Sequence, residues 1–350
     1  MSAIFLPSKN LDKHVKNRYV ESKFLDHIYS YQPFFEWQHG GKSTAVTDSS
    51  IFCVDEQSGS IVGYLSAWDT YLHCNDKERI MLRQTSNLVI NRGFPGLLRS
   101  LFALVNECDL TAAANMTERM LVAQYLQGYC HSTVERVAYV YSRNLPFLTS
   151  SVPRRKPSRR AKTNESYCHT KVGVTTHSSL ATYYEFVSSF GQFNRSIDYY
   201  HWRYLEHPIF VYYYMSVRNP VGEIQLIFRR QLTEYGDVFI KIVELYERGD
   251  CLGCLTEIFQ ELDCSWVEFA TTNNSIVRRL ARCDWLTSIL LEKLGMPNKF
   301  APLIDSSNKP QIIATHTSQN RAELDYIYFQ SADIDLDRPT KFGLRNKLYL

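Results

Sequence analysis

The sequence SNLVINRGFPGLLRSLFALVN (residues 86–106) predicts a strand, a glycine turn and a helix, in that order. The strand is indicated by a short apolar run of the kind that lies buried in a sheet, formed by Leu88, Val89 and Ile90. Gly93 and Gly96 then mark the turn. The residues after the turn repeat at the spacing of one helix face, namely Leu97, Leu98, Leu101, Phe102 and Val105.

The start of this predicted helix is a candidate anion-binding site. The first backbone N–H groups of a helix have no partner within it, and a turn with two glycines can approach a phosphate closely. Arg92 and Arg99 add positive charge beside the turn. A tight turn between a strand and a packed helix explains the same residues without a ligand, so this stretch alone leaves both interpretations open.

The composition is that of an ordinary globular protein. The 350 residues suffice for two domains, and 45% of them are hydrophobic, which is enough for a sizeable core. The net charge of +3 is too small to indicate nucleic-acid binding by itself. No apolar run approaches the ~20 residues of a membrane span, and the nine scattered cysteines favour reduced thiols over a disulfide framework. We therefore expect a soluble, cytoplasmic protein without a membrane partner.

The first half of the chain predicts a mixed α/β domain. Apolar runs at 51–54 and 61–65 flank a polar turn, which indicates a hairpin. Further elements are predicted on both sides of the opening stretch: a helix at 24–31, a less regular piece at 69–83, a helix at 112–127 that ends at Gly128, and a strand at 134–141.

A basic, proline-containing segment follows this half. Six basic residues crowd together there, namely Arg154, Arg155, Lys156, Arg159, Arg160 and Lys162. Because this composition disfavours a packed element, we place the domain boundary in it. The predicted division is an N-terminal domain over 1–145, a basic linker over 146–166 and a C-terminal domain over 167–350. A solvated linker, a phosphate clamp and a nucleic-acid contact are all compatible with the basic run.

The second half repeats the order of the first. It predicts a helix at 180–190, a hairpin around 218–222, a strand at 239–245, a glycine-containing turn at 248–253, a helix, a strand at 265–270 and a helix at 273–283. Units in the same order indicate a duplicated domain. The second turn carries Asp250 at the helix start, where it would repel an anion, so a phosphate-bearing cofactor is expected in the first copy.

This order of elements resembles the GNAT acyltransferase fold. Two blocks sharpen the resemblance, DYYHWRYLEHP at 198–208 and DIDLDRP at 333–339. With the tandem arrangement, they resemble the tandem GNAT-fold N-acyltransferases of bacterial surface-polysaccharide pathways. The resemblance implies an α/β (α+β) fold of two GNAT-like domains, each a mixed, mostly antiparallel sheet flanked by helices. It also implies transfer of an acyl group from acyl-CoA to the amino group of a nucleotide-linked amino-deoxy sugar, such as a dTDP-amino-dideoxyhexose.

The resemblance places acyl-CoA in the first domain. In GNAT folds a backbone N–H of the strand before the glycine turn serves the thioester carbonyl oxygen, which implies the strand residues Leu88, Val89 and Ile90. The remaining implied coenzyme contacts are Arg92, Gly93, Gly96, Leu97, Arg99 and Asn115. The turn is shorter than the family's usual pyrophosphate loop. Tyr125 is implied as the acid that protonates the leaving thiolate, and a core aromatic on a helix face is its alternative interpretation.

The resemblance places the acceptor sugar in the second domain. Asp198 and His201 are candidates for taking the amine proton. The implied substrate contacts are Tyr200, Trp202, Arg203, Asp333, Asp335, Asp337 and Arg338. Arg338 would meet a diphosphate by bidentate contacts. A packed helix that ends at Pro208 and a polar turn at 333–339 explain the same two blocks without a substrate.

Other functions remain as alternatives. One is a FemAB-like transferase that uses aminoacyl-tRNA, and another is a non-catalytic GNAT-like protein that binds nucleic acid through the basic run. Cys251 and Cys254 form an isolated C-x-x-C pair, which we interpret as a coincidence. We expect no metal ion and no nucleic-acid partner, and the sequence leaves the oligomeric state open, with a monomer among the possibilities.

Overall fold

The computed structural model describes residues 2–25, 27–40, 43–74, 78–91, 93–94, 96–114, 118–142, 145, 168–169, 173–190, 194–296, 311–317, 329–330, 339 and 341–350. Its strands are β1 Ala3–Pro7, β2 Thr47–Asp48, β3 Ile51–Asp55, β4 Ile61–Cys74, β5 Glu78–Ile90, β6 Leu110–Ala114, β7 Cys130–Val140, β8 Cys168–His169, β9 Gly173–Val174, β10 Asn194–Arg195, β11 Tyr213–Asn219, β12 Gly222–Leu232, β13 Val238–Gly249, β14 Trp266–Thr271, β15 Leu286–Thr287 and β16 Gln311–Thr317. Its α-helices are α1 Lys13–Lys23, α2 Gln32–His39, α3 Leu97–Val105, α4 Glu118–Tyr125, α5 His177–Ser188, α6 Ile197–Tyr200, α7 Leu255–Gln260, α8 Asn274–Arg282, α9 Ser288–Lys293 and α10 Lys341–Arg345.

The chain folds into two compact units, and neither is continuous in sequence. The first unit consists of Met1–Thr133, Phe190–Pro208 and Gln311–Ile327. The second consists of Val134–Ser189, Ile209–Pro310 and Tyr328–Leu350. This differs from the predicted division into 1–145, 146–166 and 167–350, because each unit includes residues from both halves of the chain. The predicted linker at 146–166 lies outside the described residues.

The first unit contains a mixed, mostly antiparallel sheet. Its strands follow the order β1, β3, β4, β5, β6 and β16, and β2 and β10 also pair with β4. Every neighbouring pair is antiparallel except β5 and β6, which are parallel. Since parallel neighbours need a crossover, α3 provides it between these two strands.

The second unit repeats this arrangement. Strands β11, β12, β13, β14 and β7 lie side by side, with β8 and β9 along the outer side of β11. Among the described strands of this unit, only β13 and β14 are parallel to each other, and α7 lies between them in sequence. Two mixed, mostly antiparallel sheets with helices confirm the predicted α/β class and the duplication. The strand predicted at 134–141 forms, but it pairs with β14 in the second unit rather than in the first.

Each unit has its own hydrophobic core. In the first, α3 buries Leu101, Phe102 and Val105 against Ile51 and Leu65 of the sheet. The side chains predicted for the buried face of this helix are therefore the ones that pack, and burying each stabilises the fold by roughly 1.5–3 kcal/mol. In the second unit, Leu255, Ile258 and Phe259 of α7 occupy the corresponding core.

Three element predictions in the first half were wrong. The helix expected at 112–127 is shorter, at Glu118–Tyr125, because residues 112–114 belong to β6 and pair in the sheet. The helix expected at 24–31 lies earlier, at Lys13–Lys23, where Asp12 caps it by accepting from the N–H groups of His14 and Val15. Pro33 lies in the first turn of α2, where its missing N–H is no loss. The piece at 69–83 was expected to be irregular, but its described residues belong to the long antiparallel pair of β4 and β5. The polar residues Asp69 and Arg83 lie opposite each other in this pair and form a salt bridge of 2.7 Å. Among the described helices, none is long and apolar enough to cross a lipid bilayer.

Candidate active site

Strands β5 and β6 pair along only part of their length. Residues 82–85 of β5 pair with 110–113 of β6, whereas β5 continues to Ile90. Among the described strands, none pairs with this side of β5 after Thr85. We call residues 86–90 on this side the open edge of β5.

A β-bulge begins the open edge. Leu65 of β4 lies opposite Leu88 of β5, and Ala67 lies opposite Thr85. Ser86 and Asn87 therefore face the single residue Ser66, as in a bulge with one extra residue. Such bulges re-aim the backbone and are over-represented next to active sites.

The bulge and the pairing together decide where the backbone N–H groups of the open edge point. The Asn91 N–H donates to the carbonyl of Val62 at 2.8 Å. Because N–H directions alternate along an antiparallel pair, the N–H groups of Ile90 and Leu88 point away from β4, toward the open edge. An unpaired N–H group that points at a developing oxyanion stabilises it. Of the three predicted strand residues, Leu88 and Ile90 thus offer such a donor, and Val89 faces β4.

The turn after β5 leaves the start of α3 without a side-chain cap, although the Leu97 N–H donates to the Phe94 carbonyl at 3.2 Å. Gly93 has a φ of 100°, which favours glycine, and Gly96 is the N-cap of α3 without a side-chain hydrogen bond. Both glycines are exposed, and a Cβ added to either would contact nothing within 4 Å. Arg99 is exposed on the first turn of the helix, and Leu97 is half-buried. This end of α3 is therefore open to an anion, while Arg92 and Asn115 lie outside the described residues.

The second unit has the same bulge, but its edge is occupied. Strand β13 pairs with β14 up to Ile242, and the register with β12 shifts around Val243. Leu245 is therefore the counterpart of Leu88. Its N–H donates to the side-chain oxygen of Gln330 at 2.7 Å, so this edge is closed by the chain itself.

The turn of the second unit is also occupied by the chain. The Glu247 carboxylate accepts from the N–H groups of Cys251 at 2.6 Å and Leu252 at 3.0 Å. Arg279 binds both Glu247 and Asp250. A carboxylate thus already holds the N–H groups that an anion would take at this turn. Asp250 was expected at this turn from the sequence, but Glu247 was not. Its signal in the sequence is an acid at the position where β5 has the apolar Ile90.

Tyr125 is exposed at the end of α4. Its side chain is 71% exposed, next to the exposed Val122 and Leu126. The interpretation of Tyr125 as a core aromatic is therefore wrong, and its hydroxyl is free to meet a ligand. Gly128 follows with a φ of 84°, as the predicted helix end requires.

The block at 198–208 belongs to the first unit, although the acceptor was expected in a second domain. It forms α6 and a π-helix over His201–Leu205, a type of helix that is frequent at functional sites. Asp198 is exposed and His201 half-buried, whereas Tyr200, Trp202 and Arg203 are buried. Packing thus explains much of this block.

Trp202 is held against α2. Its ring stacks on Trp37 with centroids 4.3 Å apart, and each indole N–H donates to the other residue's carbonyl at 3.1 Å. A cavity of about 400 Å³ lies beside this pair, lined by Gln32, Pro33, Glu36, Trp37, Ser43, Trp202, Glu206 and Pro208. The other predicted sugar contacts, Asp333, Asp335, Asp337 and Arg338, lie outside the described residues.

The cysteine pair shows no sign of redox or metal chemistry. Cys251 and Cys254 are buried and free, and burial raises the pKa of each thiol to about 12. They are therefore protonated and unreactive at neutral pH. In the part of the chain that the structure describes, no group of three His, Cys, Asp or Glu side chains is placed to hold a metal ion.

Comparison with known proteins finds similar solved structures, among them a tandem GNAT protein. No family model matches the sequence, and no curated protein is similar to it. A tandem GNAT protein from the clavulanic acid biosynthesis pathway is 10% identical, with a TM-score of 0.47 over 91% of this chain and 100% of that one. A GCN5-related N-acetyltransferase from Anabaena variabilis is 10% identical, with a TM-score of 0.49 over 77% of this chain and 66% of that one. A probable N-acyltransferase from Enterococcus faecalis is 11% identical, with a TM-score of 0.44 over 91% and 72%. At these values the function has to be argued from the site itself.

Proposed function

We propose that the protein is an N-acyltransferase that holds acyl-CoA in its first unit. The observation that carries the proposal is the contrast between the two copies. In the second unit, Gln330 and Glu247 occupy the edge and the turn. Among the described residues of the first unit, none accepts from the Leu88 N–H and no side chain caps α3. One copy thus keeps both an oxyanion donor and an anion site available.

The two features have complementary roles in acyl transfer. The start of α3, with Gly93, Gly96 and Arg99, would hold the pyrophosphate of the coenzyme, because N–H groups without a side-chain cap and a nearby guanidinium favour phosphate. The thioester carbonyl would then accept from the Leu88 N–H at the open edge. As an amine attacks this carbonyl, negative charge develops on its oxygen, where the donor stabilises it.

The departing thiolate needs a proton. Tyr125 is the proposed donor, since its exposed hydroxyl lies on the helix that follows β6. Arg92 and Asn115 are proposed to complete the coenzyme contacts. These roles come from the resemblance to GNAT enzymes, and each is separately testable by substitution.

The proposed acceptor is the amino group of a nucleotide-linked amino-deoxy sugar. The cavity beside Trp37 and Trp202 supports it, because an aromatic face with the carboxylates of Glu36 and Glu206 at its rim suits an amino sugar. Asp198 and His201 on the neighbouring helices are the proposed polar contacts. Asp333, Asp335, Asp337 and Arg338 are proposed to hold the sugar diphosphate.

The test is a binding and turnover measurement on the full chain. Calorimetric titration with acetyl-CoA should give a single site, and thiol release should appear when a panel of acyl-CoAs is combined with amino-sugar nucleotides. Titration with RNA at two salt concentrations distinguishes the tRNA-dependent alternative, because phosphate contacts weaken steeply with salt. Salt-sensitive RNA binding without coenzyme binding would refute the proposal.

A further inference from the structure

A chain of buried polar side chains runs through the first unit to the bulge of β5. Its inner members, Tyr29, His39 and Ser66, are each no more than 2% exposed. Ser86 is half-buried at one end, and Asp48 lies at the other. A buried polar group destabilises the fold unless it is hydrogen-bonded. A connected set of such groups inside a core therefore has to be fully hydrogen-bonded, and it is then rigid.

The members are joined by consecutive hydrogen bonds. His39 Nδ1 lies 3.1 Å from Asp48 Oδ1, and His39 Nε2 lies 3.2 Å from Ser66 Oγ and 3.3 Å from the Tyr29 hydroxyl. Ser86 Oγ lies 3.2 Å from Ser66 Oγ and 2.9 Å from the Tyr29 hydroxyl. Two bridging hydroxyls, Ser66 and Tyr29, thus connect His39 with Ser86.

Asp48 is held in its charged form. Burial alone would raise the pKa of Asp48, but the hydrogen bond from His39, the positive charge that His39 carries when protonated, and hydrogen bonds from Ser8 and Ser50 hold it well below its ordinary value. Lys16 Nζ lies 3.7 Å from the same carboxylate. A charged Asp48 favours the proton of His39 on Nδ1, which leaves Nε2 free to accept a proton from the bridging hydroxyls.

The second unit shows that the fold does not need these hydrogen-bonded hydroxyl groups. The registers make Ile227 the counterpart of Ser66 and Val243 the counterpart of Ser86. Both are fully buried apolar residues. The same bulge is therefore built from hydrocarbon in the copy whose edge is closed, and the hydroxyls occur in the copy whose edge is open.

We propose that Ser86, the bridging hydroxyls and His39 form a proton relay that deprotonates the acceptor amine at the open edge. The proposal rests on the acyl transfer proposed above. As the amine nitrogen bonds to the thioester carbon, its proton passes to Ser86 Oγ, the Ser86 proton passes to Ser66 Oγ, and the Ser66 proton passes to His39 Nε2. Asp48 stabilises the imidazolium that forms.

The relay then returns to its starting state. The carbon–sulfur bond breaks and its electron pair leaves on sulfur. The imidazolium releases its proton back through the hydroxyls to solvent. Tyr125 gives its hydroxyl proton to the thiolate, which becomes the free thiol, and Tyr125 then takes up a proton from solvent. The products are an amide and coenzyme A, so no other reactant is needed. In this step Ser86 is the group that touches the substrate, and His39 acts through it.

The kinetic test compares Ser86→Ala and Ser86→Thr with the unchanged protein. The relay predicts that Ser86→Ala lowers kcat about 100-fold, in the range of general-base contributions, with the KM for acyl-CoA unchanged. Ser86→Thr keeps the hydroxyl and should restore most of kcat. Thr85→Val is the matched control, because it removes a hydroxyl next to Ser86 that is not part of the relay. The Thr85 hydroxyl donates to the carbonyl of Ala112 at 3.5 Å, so kcat should stay unchanged in this variant.

His39→Asn tests the other end of the relay. Asn keeps a donor for Asp48 but has no basic nitrogen, so kcat should fall as in Ser86→Ala and lose its decline at acidic pH. The titratable groups around His39 that could imitate this decline are Asp48, Tyr29, Tyr64 and Lys16. Asp48 and Tyr64 have a lowered and a raised pKa, respectively, and stay outside the range from pH 5 to 9.

The protonation state of His39 can be measured by NMR in the absence of substrates. In ¹⁵N-histidine NMR spectra at pH 7.5, the signal that His39→Asn removes should show a neutral ring with its proton on Nδ1. A permanent imidazolium, or a ring protonated on Nε2, would overturn the relay. An unchanged kcat in Ser86→Ala would overturn the relay and leave the acyl transfer standing, whereas failure to bind acetyl-CoA would overturn both.

Discussion

Gly96 lies at the proposed phosphate site, and its backbone conformation is one that any residue can adopt. Its φ of −68° is an ordinary helical value, and a Cβ there contacts nothing within 4 Å. Gly96→Asp should therefore leave the free energy of unfolding unchanged within about 0.5 kcal/mol. The new carboxylate imitates the acid of the second turn and should raise the KM for acyl-CoA about tenfold, since charge at a helix N-terminus contributes about 1–2 kcal/mol.

The control for this prediction is Ser178→Asp. Ser178 is exposed in the first turn of α5 in the second unit, so the substitution adds the same charge at the start of a different helix. Its KM should match that of the unchanged protein in steady-state thiol release. An unaltered KM in Gly96→Asp would move the coenzyme phosphate away from this turn.

Gly249 depends on glycine for a second reason besides its backbone angle. Gly249 and Gly236 both have positive φ, 92° and 87°. A Cβ at Gly236 contacts nothing within 4 Å, whereas one at Gly249 would overlap the carbonyl oxygen of Val221. Gly236→Ala should cost about 1–2 kcal/mol of stability from the left-handed conformation alone, and Gly249→Ala should cost about 3 kcal/mol or more. Urea denaturation compares the two variants, and equal losses would contradict the role of the Val221 contact.

At the scale of elements, the sequence predicted where several helices and strands lie, but it did not predict which strands pair with each other. Helix α3 and the helix at Asn274–Arg282 were expected, because apolar spacing and the cap at Asn273 are local signals. The strand at 134–141 was also expected, but its place beside β14 depends on residues more than 120 positions away. For the same reason the sequence did not show that Gln330 closes the edge beside Leu245.

The β7–β14 pair contains a buried ionic contact that should control stability. Glu268 on β14 is 3% exposed and binds Arg136 on β7 at 2.7 Å and Lys241 on β13 at 3.6 Å. Burial would raise the pKa of Glu268, but the charges of Arg136 and Lys241 hold it below its ordinary value. Arg136→Met leaves Glu268 with only the more distant Lys241, and it should destabilise the protein by about 3 kcal/mol at pH 7.

The pH dependence of this loss follows from the direction of the shift. A carboxyl with a lowered pKa contributes stability above its unfolded pKa of ~4.3, and loses it as the pH falls toward the folded value. The difference between Arg136→Met and the unchanged protein should therefore shrink below about pH 4.3 in guanidinium denaturation at fixed ionic strength. Arg218→Met is the control, because its pair with Glu223 is at the surface, and its loss should stay below about 1 kcal/mol. A similar loss in both variants would show that the buried pair contributes no more than a surface one.

At the scale of the whole molecule, each unit contains a strand that comes from the other half of the sequence. Strand β16, from the second half, pairs with β6 in the first unit, and β7 pairs with β14 in the second. A boundary at 145 therefore separates two sequence repeats but cuts through both folded units. The duplication visible in the sequence is thus not a pair of domains that can be separated by one cut.

The interleaved units predict the behaviour of fragments. Fragment 1–145 should not fold alone, because it lacks β16, whose Ile313 and Ala314 are buried beside β6, and it exposes Val137 and Ala138, which are fully buried in the second unit. An unpaired apolar strand edge promotes aggregation, so the fragment should be insoluble or lack cooperative unfolding by circular dichroism. Co-expression with fragment 146–350 supplies every strand and should restore a soluble 1:1 complex, which serves as the control. A monomeric fragment 1–145 that unfolds cooperatively would show instead that the first repeat is an independent domain and that the exchanged strands add little to its stability.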